Sequence, residues 1–323
     1  MRAVVCQSFA EPEQLEVQQL DTPPCGPGQV RVHVWASGLN YVDALFVQGK
    51  YQIRPALPFV PGSEIAGEVT EVGAGVSGVS VGDRVMASVG LGGFADEVVL
   101  SPSQLMPIPD RLSYGQAATM TQSYATAWFS LTRRTVVRPE EWVLVLGAAG
   151  GVGLAMLDVA RALGAQTIAA ASNDEKLRLC IQRGAHGVID YSTEDVKERA
   201  RELTGGGVDI AVDPVGGELT DAALRALRNY GRLLVIGFAS GTIPKLAANQ
   251  VLLRNRSVLG VDWGAWAMAD PDGNAAVMSE VLTRVEDGSL TPAEPTTYPL
   301  HDAGTALRDL LERRVTGKAC LTP

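Results

Sequence analysis

The chain has 323 residues, 46% of them apolar, which suits roughly two domains with sizeable cores and excludes a disordered or fibrous polymer. A net charge of −9 leaves no basic footprint for nucleic acid or an anionic membrane. No apolar stretch is long enough to span a bilayer, and the opening MRAVVCQSFAEPEQ lacks the apolar run of a secretory signal. The four cysteines, Cys6, Cys25, Cys180 and Cys320, form no C-x-x-C pair, so reduced thiols and a cytoplasmic location are expected.

The first part of the chain reads as short strands. Val30, Val32 and Val34 alternate with Arg31, His33 and Trp35, and Gly and Pro punctuate every few residues, as in PPCGPGQ and VPGSE. A small antiparallel β domain is expected there. The texture changes at Trp142, where the continuous apolar run WVLVLG predicts a parallel strand buried on both faces. Val152, Ala155, Met156, Val159 and Leu163 then recur at helical spacing, and Gly164 supplies the stop. The strand TIAAA comes next, followed by a helix from Asp174 with Leu177, Cys180 and Ile181 as its stripe. The segments VIDY, VDIAVD, RLLVIGF and SVLGV continue the alternation, which predicts an α/β fold with a doubly wound parallel sheet. A helix over 275–286, the Pro-rich TPAEPTTYPL, a helix over 303–313 and the strand KACLT close the chain. The expected division is a β domain at 1–123, completed by 265–323, with the parallel-sheet domain inserted at 124–264.

The segment LGAAGGVGLA places Gly147, Gly150 and Gly153, with Ala149, Gly151 and Val152 between them, between an apolar strand and its helix. In that context it reads as a dinucleotide-binding turn. The glycines allow a tight bend, close approach to a pyrophosphate and helix–strand packing, while the helix N-terminus offers N–H groups to the phosphates. The next strand ends in Ala170-Ala171-Ser172-Asn173, without the acid that would bind an adenosine ribose 2′-hydroxyl. Ser172 and Lys176 can instead hold a 2′-phosphate, which favours NADPH over NADH.

AAGGVG matches the fingerprint of medium-chain dehydrogenases/reductases, and GLNYVDALFVQGKYQIRPALPFVPGSEIAGEV and VGDRVMA resemble their GroES-like domain. The resemblance covers nearly the whole chain and implies a GroES-like β domain plus a Rossmann sheet. Where zinc alcohol dehydrogenases of that superfamily carry a cysteine and a histidine ligand, this chain has Asn40 and Ser63. Amide and hydroxyl are not customary zinc ligands, and His33, His186 and His301 are isolated, so no metal site is expected. The chain therefore resembles the zinc-free branch, whose quinone oxidoreductases, ζ-crystallins and enoyl-thioester reductases act on acceptors that are already activated.

That resemblance implies Asn40, Tyr41 and Leu45 beside the nicotinamide and Thr126 near its ribose phosphate. It further implies Tyr191 over the adenine side, and Gly237, Phe238, Asp262, Trp263 and Gly264 along the nicotinamide half. Tyr41 either donates a proton to the reduced substrate or shapes the cleft. Met120, Tyr124, Trp263 and Trp266 either line a pocket for a flat substrate or serve as core. The expected activity is NADPH-dependent reduction of a small quinone or enone. The alternatives are an enoyl-thioester reductase and a non-catalytic, crystallin-like NADPH-binding protein. The apolar stretch 257–261 is expected at a sheet edge that pairs with a second copy, giving a homodimer.

Overall fold

A computed structural model describes all 323 residues. Period-two alternation in the first part of the chain becomes β1 (Arg2–Val5), β2 (Glu16–Gln19) and β3 (Val30–Leu39), after which the chain turns into the short helix α1 (Tyr41–Val47). Four strands follow, β4 (Glu64–Val72), β5 (Arg84–Ser88), β6 (Glu97–Leu100) and β7 (Leu105–Pro107), and then the long helix α2 (Tyr114–Phe129). In β3, Val30, Val32 and Val34 are buried while the side chains between them are partly open; from Ala36 to Leu39 every residue is buried. The alternation stops there because neighbours close on the strand. The register of β3 against β4 also shifts between Val34 and Ala36. Gly38 leaves no room for a side chain, since a Cβ would stand 2.1 Å from the Ala118 carbonyl oxygen on α2.

The parallel strands follow as β8 (Trp142–Leu146), β9 (Gln166–Ala171), β10 (Gly187–Asp190), β11 (Val208–Asp213), β12 (Leu227–Val235) and β13 (Ser257–Gly260). Between them run α3 (Gly151–Ala162), α4 (Asp174–Gln182), α5 (Val196–Thr204), α6 (Glu218–Ala226) and α7 (Ala248–Leu252). All six strands are parallel, in the order β10-β9-β8-β11-β12-β13. Counted from β8, that is the 3-2-1-4-5-6 order of a dinucleotide-binding fold. Leu144, Ile168, Ile189, Leu224 and Leu233 form its core. Each such side chain contributes roughly 1.5–3 kcal/mol by leaving water.

After β13 come α8 (Trp263–Ala269), α9 (Pro271–Glu286), β14 (Thr296–Pro299), α10 (Ala303–Leu311) and β15 (Ala319–Thr322). The chain forms two units, Met1–Gln122 with Pro292–Pro323, and Ser123–Thr291. The return to the β unit thus falls at Pro292 instead of the expected residue 265. The reason is α9, which buries Val277, Met278, Val281 and Val285 and whose Glu280 accepts from Trp128 Nε1 and Arg133. This helix also begins earlier than expected, because Pro271 suits a first turn and Asp270 caps it by accepting from the Gly273 N–H at 3.0 Å. At the other end of the chain, α10 stops at Leu311, short of residue 313, where Arg313 turns left-handed at φ 59°. No helix is long and apolar enough to cross a membrane.

In the β unit the sheet order is β14-β15-β3-β4-β5-β7, with β6 also on β3. The returning α10 and β15 supply Ala303, Leu307, Ala319 and Leu321 to a core with Val4, Leu39, Val47 and Phe94. The central β3 therefore ends between β4 and β15.

Candidate active site

The turn between β8 and α3 is shaped by its glycines. Gly147 has φ 57°, a left-handed conformation that glycine adopts without strain. At Gly153 a Cβ would lie 2.5 Å from the Gly147 oxygen and 2.6 Å from Ala148 Cα, so only glycine lets the helix seat on the turn. Gly150 is the N-cap of α3 and offers no side-chain cap to the first N–H groups. Gly151 and Val152 thus begin a helix with donors and a positive dipole end available to an anion, and Ala149 is buried behind them. These features fit the pyrophosphate of a dinucleotide.

Ser172 and Tyr191 lie immediately beyond the carboxyl ends of the adjacent strands β9 and β10, where Tyr191 N–H donates to the Ala171 oxygen at 3.1 Å. Asn173 Oδ1 caps α4 by accepting from the Lys176 N–H at 3.0 Å. Residues 171–173 carry no carboxylate. Gly237 and the exposed Phe238 follow β12, again at the carboxyl edge. Past β13, Asp262 caps α8 through the Ala265 N–H, Trp263 Nε1 donates to Asn274 Oδ1, and Gly264 lies in the first turn. The side chains of Asp262 and Trp263 are thereby engaged within their own unit. Thr126 is buried in α2, its carbonyl accepting from Ser130 Oγ at 2.6 Å.

Asn40, Tyr41 and Leu45 belong to the β unit. Pairing of Gly38 with Glu64 and of Leu39 with Ala319 brings three strand ends to Asn40, which is buried. Its Nδ2 donates to Glu64 Oε1 at 2.7 Å and to Ser63 Oγ at 3.2 Å, while its Oδ1 accepts from Lys318 Nζ at 2.6 Å. Every polar atom of the amide is occupied, so its orientation is fixed. Tyr41 opens α1, 36% exposed, and its hydroxyl has no hydrogen-bond partner within the chain. Leu45 is half-buried one turn further on.

Sequence reasoning missed Asp43, Glu64 and Lys318. Asp43 is completely buried and accepts from the Asn40 backbone N–H at 2.8 Å; its Oδ1 has no partner. Burial pushes its carboxyl up to about 7; the Asn40 N–H, Ser63 and Lys318 oppose the rise and the Glu64 carboxylate adds to it. The spacing Asn40-x-x-Asp43 is that of a capping box and could have flagged it. Lys318 carried no signal.

The flat-substrate reading fails for two side chains. Met120 is enclosed in the core, and Tyr124 spends its hydroxyl on the buried Asp158 at 2.8 Å. Trp266 stacks on Phe129 with ring centroids 4.5 Å apart.

Residues 40 and 63 stand where zinc relatives carry their ligands. An amide and a hydroxyl that bond to each other offer neither thiolate nor imidazole, and no group of three His, Cys, Asp or Glu side chains converges anywhere in the chain. The residues do not fit the ion.

Two family profiles match: the alcohol dehydrogenase GroES-like domain over residues 26–110 and the zinc-binding dehydrogenase domain over 151–280. The chain is 39% identical to quinone oxidoreductase-like protein 2 of Bos taurus, covering 99% of this chain and 92% of the relative. It is 36% identical to the quinone oxidoreductase of Pseudomonas aeruginosa, covering 98% of each. The Escherichia coli quinone oxidoreductase, solved in complex with NADPH, superposes with a TM-score of 0.90 at 28% identity over the whole of both chains. The chain belongs to the quinone oxidoreductase family of the medium-chain dehydrogenases/reductases.

Proposed function

We propose that the protein is an NADPH-dependent reductase of quinones or enones that works without a metal. The observation that carries this reading is the Asn40–Ser63 hydrogen bond, which fills two positions where zinc relatives bind their ion with groups that satisfy each other. Without a Lewis acid to polarise an alcohol, an acceptor that is already electrophilic is the suitable substrate. The names of the relatives, and the NADPH in the Escherichia coli structure, support the same choice.

When bound, NADPH supplies a hydride. The chain's own work is to hold and orient. Gly150, Gly151 and Val152 would receive the pyrophosphate, and Ser172 with Lys176 the 2′-phosphate, at the carboxyl ends of β8 and β9. Tyr41 presents an unpartnered hydroxyl, able to donate a proton to the substrate atom that becomes basic. The network of Lys318, Glu64 and Ser63 locks Asn40 next to it in sequence, so α1 starts from a rigid point. In assembly, β13 ends the parallel sheet with Val258 exposed, an edge suited to pairing with a second copy.

The test follows NADPH oxidation with quinones, enones and enoyl thioesters in parallel, before and after exhaustive chelation. Quinone or enone turnover that survives chelation supports the reading. Turnover confined to enoyl thioesters, or lost with the metal, overturns it.

A further inference from the structure

A second polar region of the parallel-sheet unit is untouched by the reading above. Lys197 and Arg201 on α5, Arg225 at the end of α6, Gln250 on α7, and Arg254 and Arg256 before β13 line an open surface pocket of about 350 Å³. Arg225 lies just ahead of β12 and Arg256 just ahead of β13, so the cavity is at the amino ends of the strands. The dinucleotide turn is at the carboxyl end of β8, so the two regions occupy opposite edges of the same sheet.

The charges there are unbalanced. Five cations line the cavity and no carboxylate does, in a chain that carries 36 acidic residues and a net charge of −9. Asp221 reaches Arg225 at 2.8 Å and Glu198 pairs with Lys197. Arg201, Arg254 and Arg256 have no carboxylate partner, which leaves three positive charges uncompensated. Arg256 is the most constrained, at 7% exposure. Its guanidinium donates to the carbonyl oxygens of Gln250, Arg225 and Leu227, and its Nε has no partner. These carbonyls satisfy donors without cancelling charge. Burial, together with the neighbouring Arg254 and Arg201, pulls its pKa below the ordinary value.

A guanidinium buried without a counter-ion is costly to keep, and an anion drawn to it would offset that cost. Five cationic side chains gathered around one space, their stems forming most of its wall, suit the several oxygens of a phosphate better than a lone carboxylate. The volume lies in the range of small-ligand pockets, roughly 300–1,000 Å³. We propose that this cavity is a binding site for a phosphate-bearing small molecule, separate from the dinucleotide turn. Its occupant would bridge α5, the end of α6 and the segment leading into β13, and would stabilise that edge of the sheet by mass action.

The test uses the full-length protein and inorganic pyrophosphate, measured by calorimetry with and without saturating NADPH. Binding in both conditions is expected, together with a rise in melting temperature. The double variant Arg201→Gln/Arg254→Gln, which leaves Arg256 and its carbonyl contacts in place, is expected to bind at least roughly tenfold more weakly. Equal affinity in the double variant, or binding that disappears when NADPH is added, would overturn the proposal. So would a wild type that ignores pyrophosphate; a double variant that then self-associates less than the wild type would make acids of a second copy the occupant.

Discussion

The dinucleotide turn and the Asn40 network are both polar constructions at strand ends, yet they are assembled over very different lengths of chain. The turn occupies Gly147 to Gly153, and its shape depends on what those glycines lack. The network joins Asn40 to Glu64 and to Lys318, which is 278 residues away, and its shape depends on strands pairing in the right register. A short-range site fails when atoms are added to it. A long-range one fails when a distant partner is removed.

The largest expected effect tests whether the network side of the comparison carries chemistry. Tyr41→Phe is expected to lower turnover on an enone by roughly 10²–10⁴-fold, the usual contribution of a general acid. NADPH affinity and most quinone turnover are expected to survive, because water can protonate a reduced quinone. Steady-state rates on the two substrate classes decide it, and a small uniform loss would leave Tyr41 without a chemical role.

Asp43 sharpens the comparison through pH. Its folded-state carboxyl titrates at about 7, above the ordinary 3.8, so the native state holds a proton that the unfolded chain releases. The stability this provides is complete below the unfolded value and is lost as pH rises toward 7. Lys318 and Glu64 are the charged groups facing it. Asp43→Asn keeps an acceptor for the Asn40 N–H and removes the titration. Denaturant melts are expected to show the variant gaining about 3 kcal/mol on the wild type between about pH 5 and about pH 8. A pH-independent difference would show that Asp43 is not titrating there.

On the side of the turn, Lys176→Ala is expected to weaken NADPH by about 1.5–3 kcal/mol, the value of one charge-assisted contact, and to leave NADH unchanged. Equal losses for both cofactors would remove the 2′-phosphate assignment. Gly153→Ala adds one methyl at a site with no room and is expected to weaken both cofactors by about 1–3 kcal/mol. A fluorescence titration showing unchanged affinity would mean that the helix can shift aside.

These contrasts explain what was legible beforehand. WVLVLG and the glycines after it are contiguous, so periodicity and spacing were enough to expect a buried strand, a turn and a helix, and β8 and α3 lie there. For Tyr124 residue type leaves pocket wall and core equally open, and the hydrogen bond of its hydroxyl to Asp158 selects the core. The return at Pro292 is not legible in the sequence, because an amphipathic helix does not announce which sheet it covers, and α9 closes on Trp128 and Arg133. Arg201, Arg254 and Arg256 are spread over 56 positions. Each alone resembles an ordinary surface arginine, and only the fold collects them.

The sequence by itself determined the alternation of strands and helices, the dinucleotide turn and the absence of a thiolate–imidazole pair at residues 40 and 63. Those properties reside in residue type and near-neighbour spacing, where backbone sterics and hydrophobic periodicity act directly. The tertiary structure decided which distant residues meet: Lys318 at Asn40, α9 on the parallel-sheet unit, and five cations around one cavity. Strand register and helix packing set those meetings, and they are fixed by burial summed over the whole unit, which no local segment encodes.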